Sequence, residues 1–340
     1  MAERGVGDLG LFVLQGDTLR SSVSMPASLL ATPRTAAVSA DQRWLAMSGA
    51  TRGALWDTTR GERQAYVKEF NGSFIDTGGV LYAEQKGEGL QADITVIVRY
   101  DAAARQIANG GQVKVDHADQ FGPWLLLQRH LVDRSGQPGM AYQIRDVRKP
   151  TVDTWTKTFQ RDPPNDYWFH PESDAFALVW MADSNSGRDR IRQDEALKAS
   201  VNQGDLKGDF LVELLSPATG ELRRRIVIET GKGSFALAGL QVRGDRMFVS
   251  DTLGRVLAYT LSSGELTGSV FGDTPVATAD GRTLALGTGT GRVVLYDAAT
   301  MTRRTELRFK HPVAFKTFSA DGSKLIALTA DQTLHTIGVR

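Results

Sequence analysis

The sequence has 340 residues, of which 40 are basic and 39 acidic, and it contains no cysteine. The net charge of +1 does not favour a nucleic-acid partner, because such partners usually require a clustered basic surface. The lack of cysteine excludes disulfides, thiolate metal sites and cysteine nucleophiles.

The chain begins with a short apolar run at residues 9–14. This run is too short for an ordinary secretory signal, and no small-residue cleavage pattern follows it. No later run approaches the roughly 18 apolar residues that a membrane helix needs. We therefore expect a soluble cytoplasmic protein without a membrane span.

Strand-like sequence at residues 11–14 and 19–25 precedes an inner strand predicted at residues 35–38. From there a β-hairpin recurs, and its clearest copy is DGRTLALGTGTGRVVLYD at residues 280–297. This copy has a turn at Asp280-Gly281, a strand, a glycine-rich reversal at residues 287–291 and a second strand. The reversal lies between two strands and precedes no helix, so it predicts a turn and not a phosphate loop.

The end of the second hairpin strand marks each repeat. The seven positions are Trp56-Asp57, Tyr100-Asp101, Arg145-Asp146, Leu215-Ser216, Tyr259-Thr260, Tyr296-Asp297 and Ile337-Gly338. The steps between them are about 44, 45, 70, 44, 37 and 41 residues, against the roughly 40 to 45 of a propeller blade. The sequence therefore predicts seven blades, one of which is interrupted.

The interruption is the polar segment at residues 183–209, which separates the predicted hairpin strands 175–181 and 210–215. Without its 27 or so residues the long step becomes about 43, which restores the repeat. A long insertion at a turn costs little stability and lies on one face of the ring. Within it, residues 191–200 are predicted to form a short helix.

These patterns predict an all-β fold: a single domain over residues 1–340 that forms a seven-bladed β-propeller of four-stranded blades. The last repeat ends with its third strand at residues 332–339. We predict that the N-terminal segment supplies the missing outer strand, because closing the ring removes two open sheet edges.

The units DGRTLALGTGTGRVVLYD and SADGSKLIALTADQTLHTIGV resemble the WD-repeat β-propeller family. Only Trp56-Asp57 is a literal Trp-Asp pair, and His311 stands where that family often has a turn histidine. The family's structural His–Ser/Thr–Asp–Trp network is complete in no repeat. Looser propellers of the quinoprotein-like or lactonase-like kind therefore remain alternatives.

No catalytic motif stands out, and no catalytic residue is assigned. The sequence has no G-x-S-x-G elbow, and its five histidines show no metal-ligand spacing. Carboxylates near the inner strands could converge on the central channel and act in acid–base or metal chemistry. The candidates are Asp76, Asp116, Asp166 and Glu172; the simpler interpretation is that they are solvated turn or channel-rim residues.

The insertion offers a weak calcium candidate at Asp183, Asn185 and Asp189, because alternating oxygen side chains suit Ca²⁺. Against this, the glycine is one place late and Arg188 puts a cation among the ligands. The simpler interpretation is a flexible polar loop. No cofactor is predicted.

The leading functional interpretation is a non-catalytic scaffold for protein–protein interaction. It depends on the WD-repeat resemblance, the lack of a catalytic motif and the large insertion. One or more proteins are the expected partners, with no nucleic acid, and the chain could be a peripheral subunit of a larger assembly, including one at a membrane. The expected contact residues are Trp155, Arg188, Arg190 and Arg192; the alternative is a metal-dependent hydrolase or lactonase-like enzyme at the channel mouth.

Overall fold

Each predicted repeat forms one antiparallel blade, and the seven blades, six of four strands and the last of five, form a ring around a central channel. The computed structural model describes residues 13–15, 18–24, 33–87, 93–132, 136–160, 162–204, 208–230 and 236–339. The predicted seven-bladed propeller is thereby confirmed.

The first half of the chain contributes two N-terminal strands and the first three blades. In chain order these strands are β1 (Val13–Gln15), β2 (Thr18–Ser24), β3 (Thr35–Val38), β4 (Trp44–Ser48), β5 (Arg52–Asp57), β6 (Glu62–Lys68), β7 (Gly72–Ile75), β8 (Val80–Lys86), β9 (Ile94–Asp101), β10 (Gln106–Lys114), β11 (His117–Phe121), β12 (Trp124–Val132), β13 (Pro138–Asp146) and β14 (Asp153–Phe159).

The second half contributes the remaining four blades and two helices. In chain order these are β15 (Asp166–Trp168), β16 (Phe176–Met181), α1 (Asn185–Arg192), α2 (Glu195–Gln203), β17 (Phe210–Leu215), β18 (Leu222–Ile228), β19 (Leu237–Arg243), β20 (Arg246–Asp251), β21 (Arg255–Thr260), β22 (Leu266–Phe271), β23 (Asp273–Ala277), β24 (Thr283–Gly287), β25 (Arg292–Asp297), β26 (Thr302–Arg308), β27 (Val313–Phe318), β28 (Lys324–Thr329) and β29 (Thr333–Gly338).

Burial follows the position of a strand within its blade. All five residues of β24 are buried, because both faces of a blade pack against its neighbours. The outer strand β26 of the same blade begins with four exposed residues. Apolar clusters fill the spaces between adjacent blades; Trp44 and Leu55 of the first blade, for example, pack with Leu81 and Tyr100 of the second.

The N-terminal segment closes the ring as the sequence predicts. Strand β2 pairs antiparallel with β29, from Arg20 opposite Ile337 to Ser24 opposite Thr333. Strand β1 then pairs with β2 and adds a fifth strand to the last blade. The first and last parts of the chain are therefore joined by main-chain hydrogen bonds.

The insertion lies where the sequence places it, between β16 and β17, whose pairing ends with Met181 opposite Phe210. Instead of one helix at residues 191–200, it forms the two helices α1 and α2. The Asp194 carboxylate accepts from the N–H groups of Ala196 and Leu197 at 3.1 Å, so it begins a new helix inside the predicted one.

The two faces of the ring are distinguished by the inner strands. Because neighbouring strands are antiparallel, the connection between the second and third strands of a blade lies at the end where its inner strand begins. We call this side the insertion face, since α1 and α2 lie there. The turns that follow the inner strands lie on the opposite face.

Candidate functional site

The central channel is a cavity of about 680 Å³. Its lining includes residues at the start of inner strands, such as Thr35 and Thr274, and residues of the turns that follow them, such as Ser39 and Ala320. It therefore runs along the length of the inner strands from one face to the other. This volume lies within the range of small-molecule sites.

Glu172 bridges three blades at the opposite face. Its Oε1 accepts a hydrogen bond from Thr317 Oγ1, which belongs to the last blade, and its Oε2 lies 3.6 Å from Arg243 Nη2 in the fifth. Asp174 Oδ1 lies 3.3 Å from Nη1 of the same arginine. Burial raises the pKa of Glu172, and the bonds from Thr317 and Arg243 oppose that rise.

His170 lies beside this bridge, just after the short inner strand β15. Its Nδ1 accepts from the backbone N–H of Glu172 at 3.2 Å and lies 3.2 Å from Gln241 Nε2. Burial, with the nearby cations Arg243 and Lys316, lowers the pKa of His170 to about 4. The imidazole is therefore neutral at physiological pH.

Lys316 lies on the inner strand β27 and is 5% exposed. Its Nζ donates to the hydroxyl of Thr274 and to the carbonyl of Asp273, the latter at 3.4 Å. Burial lowers the pKa of Lys316 to about 8, and the negative charge of Asp273 opposes that decrease. Thr274 and Asp273 begin β23, so this group lies toward the insertion face.

The other predicted channel carboxylates do not join Glu172. Asp76 Oδ1 accepts from the N–H groups of Gly78 and Val80 and so stabilises a turn. Asp116 binds His130, and Asp166 Oδ1 accepts from the N–H of the next residue at 2.7 Å. Within the described ranges, no three His, Asp or Glu side chains are grouped to hold a metal ion. The convergence on which the metal-hydrolase alternative depended is not seen there.

The calcium candidates lie at the start of α1. Ser184 caps this helix, with its hydroxyl accepting from Gly187 N at 3.0 Å. Asn185 and Asp189 are helical residues, and Asp189 pairs with Arg192 at 3.0 Å. This helical geometry does not favour the weak calcium candidate, because a helix does not wrap alternate side chains around a central ion.

A buried ion pair attaches α1 to the fourth blade. Arg190 Nη1 lies 3.2 Å from Oε1 of Glu213, a strand residue that is 1% exposed. The guanidinium also lies 4.1 Å from the Trp180 ring centroid. On the other side, Arg225 Nε donates to the same carboxylate oxygen at 2.9 Å. Arg190, predicted as a partner contact, is thus already engaged within the chain.

The remaining predicted contact residues are placed differently from one another. Arg188 is exposed on α1, and the Arg192 side chain is 70% exposed. Trp155, expected to be exposed, is half-buried on β14: its ring packs against Phe176 and its indole N–H donates to the Pro217 carbonyl at 2.7 Å. The polar sequence around Trp155 belongs to an outer strand whose alternate residues face the next blade.

The last blade contains a polar network that sequence reasoning missed. Thr329 Oγ1 donates to Asp331 Oδ1 at 2.5 Å and lies 3.3 Å from His335 Nε2. His311 Nε2 lies 3.6 Å from Asp331 Oδ2. His311 lies in the loop before the inner strand and Thr329 lies on the second strand. Asp331 lies in the turn that follows, and His335 lies on the third strand.

Sequence reasoning identified Glu172 but not its partners Arg243 and Thr317, nor the pair formed by Lys316 and Thr274. Lys316 carried one local signal, because it is a charged residue within the otherwise apolar strand sequence VAFKTF. The other contacts join different blades and leave no local pattern.

Comparison with models of known protein families gives no match, and neither does comparison with curated protein sequences. In the part of the chain that the structure describes, no helix is long and apolar enough to cross a membrane.

Proposed function

We propose that this chain is a divergent WD-repeat propeller that acts in the cytoplasm as a scaffold for protein–protein interaction, as a peripheral subunit of a protein assembly. The network of the last blade supports the family assignment. His311, Thr329 and Asp331 stand where the WD-repeat resemblance expects the turn histidine, the hydroxyl residue and the turn aspartate. His335 takes the place of the tryptophan.

The observation that carries the scaffold proposal is the pair of helices α1 and α2 in the insertion, which lie outside the strands of the blades. Helix α2 contains no buried residue, and Val201 on its surface is 46% exposed. A helix that buries so little adds little to the stability of the fold. Both of its ends are nevertheless capped, by Asp194 and by Gly204 in the left-handed conformation.

The attachment of α1 keeps this surface in a fixed position. Ile191 is 6% exposed and packs in the apolar cluster that also contains Trp180. Gly187 is needed there, because a Cβ on it would lie 2.2 Å from the Met181 carbonyl oxygen. A preorganised surface loses less conformational entropy when a partner binds, which favours a recognition role.

Arg188 and Arg192 are the contact residues we retain, since both are exposed on α1. Arginine is enriched at the energetically important positions of protein interfaces. Arg190 and Trp155 contribute indirectly, because they hold the insertion and the neighbouring outer strand in place.

Charge reversal tests this assignment. The double variant Arg188→Glu/Arg192→Glu should lose at least about tenfold in affinity for the protein that co-purifies with the wild type, as measured with purified components. The matched control is Arg282→Glu, whose side chain is 84% exposed on a turn of the opposite face. Equal binding by all three chains would contradict a role for the insertion.

A further inference from the structure

Thr274 has a strained backbone where the channel opens on the insertion face. Its φ is +42°, a value that β-branched residues rarely adopt, and it directly precedes Pro275. The register of β23 shifts here, so that Thr274 and Pro275 stand opposite the single residue Leu286. Backbone strain of this kind is concentrated at functional sites.

The strained turn presents the Thr274 hydroxyl to a buried amine. The described hydrogen-bond partners of Lys316 Nζ are this hydroxyl and the Asp273 carbonyl, both neutral oxygens. With a pKa of about 8, a substantial fraction of Lys316 is unprotonated in mildly alkaline solution. An unprotonated amine can accept the proton of a hydroxyl, as in known serine–lysine pairs.

The surroundings leave room for a small molecule. Thr274 and Lys316 both line the channel of about 680 Å³. A Cβ on Gly287 would lie 1.9 Å from Asp273 Oδ1 and 3.4 Å from Lys316 Nζ, so the lack of a side chain there makes room for the Asp273 carboxylate. Asp273 Oδ1 also accepts a hydrogen bond from the Thr274 hydroxyl at 3.3 Å. The glycine-rich turn at residues 287–291 thus borders the pair of groups.

We propose that Thr274 and Lys316 form a nucleophile–base pair that accepts an acyl group from a small carboxylic ester entering the channel from the insertion face. The Thr274 oxygen forms a bond to the carbonyl carbon while its proton moves to Lys316 Nζ. The bond to the leaving oxygen breaks, and the ammonium group returns the proton to that oxygen.

Hydrolysis completes the cycle. Water attacks the acyl carbon, giving a proton to Lys316, and the acid leaves as the Thr274 oxygen takes that proton back. The charged groups near Lys316 are Asp273 at the start of β23 and, along the channel, Arg243 and Glu172; His170 faces the same space and is neutral above its pKa of about 4. This activity goes beyond the scaffold role, and its failure would leave that role untouched.

The test uses the full chain and p-nitrophenyl acetate. In the wild type, peptide mass spectrometry should find the acetyl group on Thr274, and acylation should accelerate with pH around a midpoint of about 8. Thr274→Val and Lys316→Arg should each reduce acylation by about tenfold or more, since arginine keeps the charge but cannot accept a proton. Thr274→Ser should retain it.

The control is Thr290→Val, which removes an exposed hydroxyl from the bordering glycine-rich turn. Thermal melting of each variant separates lost reactivity from lost folding, and Lys316→Met provides a second, uncharged variant. Three results would each overturn the proposal. The acetyl group could be found on the Lys316 amine, or acylation of Thr274 could be unaffected by both Lys316 variants. The third result is a wild type that reacts no faster at Thr274 than at Thr290.

Discussion

At the scale of single residues, the channel is the part of the ring where ionisable side chains are buried, and burial disfavours their charged forms. Glu172, Arg243 and Lys316 lie in one cavity, and burial moves the pKa of Glu172 up and that of Lys316 down. Such pKa shifts make the free energy of unfolding depend on pH, because each one is a difference in proton binding between the folded and unfolded chain.

The effect of burial on the stability of the chain can be measured at His170. Its pKa is about 4 in the folded chain against about 6.5 when unfolded, so folding favours the neutral ring. The stability that this contributes is complete above about pH 6.5 and is lost as the pH falls toward 4. Between pH 7 and pH 4.5, the free energy of unfolding of the wild type should therefore fall by about 1–2 kcal/mol more than that of His170→Gln.

Urea denaturation at several pH values measures this difference. The matched control is His130→Gln, because the His130 side chain is 70% exposed. If the two variants lose stability in acid to the same extent as the wild type, the burial of His170 in the channel is not as described.

Only some of these residues could be predicted from the sequence. Glu172 was identified because a carboxylate follows an inner strand, which is a local feature. Its bond to Thr317 joins positions 145 residues apart, and nothing in either segment specifies the pairing. Thr274 was missed because its strain arises from a bulge, which depends on the register between two strands.

At the scale of elements, one buried carboxylate helps to attach the insertion to the ring. Glu213 lies on β17 and holds Arg190 of α1 on one side and Arg225 of β18 on the other. Its side chain is 2% exposed, and those of the two arginines are 21% and 13% exposed. Removing one member of such a group leaves the others buried without a counterion.

Glu213→Gln should therefore lower the free energy of unfolding by about 3 kcal/mol and loosen α1. The control is Glu265→Gln, an exposed turn position where a change of no more than about 0.5 kcal/mol is expected. Denaturation measures the first effect, and hydrogen exchange of the α1 amides the second. Equal stability of both variants, with α1 protected in both, would show that Glu213 does not attach the insertion.

Hairpins were predictable at this scale because alternation and turn glycines are local signals. The insertion helices were only partly predictable, since the break at Asp194 depends on a side chain capping the backbone. Trp155 was misplaced because the polar residues around it lie on the exposed face of an outer strand, and the strand itself was not recognised.

At the scale of the whole molecule, the N-terminal strand completes the ring. β2 covers β29, whose free edge would otherwise offer unpaired backbone groups to another chain. Repeat spacing predicted both the blade number and this closure, because the last repeat lacks an outer strand. The path of the channel and the groups within it depend on seven blades meeting, which no single repeat specifies.

Truncation tests the closure. Removing residues 1–24 should lower the melting temperature by roughly 5–10 °C and cause self-association, because the edge of β29 is then open. Removing residues 1–15 takes away β1 but leaves β29 paired with β2, and this control should unfold at the same temperature as the full chain. Light scattering and thermal unfolding distinguish the two variants. If the chain without residues 1–24 is monomeric and unchanged in stability, the role of β2 is contradicted.

The scaffold proposal is tested most directly by native purification from the source cells, with mass spectrometry of the proteins that co-elute. We expect the wild-type chain to elute with a stoichiometric protein partner. A chain in which a short turn replaces residues 183–209 should fold, because Met181 and Phe210 already pair, and should elute without that partner. A wild-type chain that elutes alone, or a shortened chain that keeps the partner, would contradict the proposal.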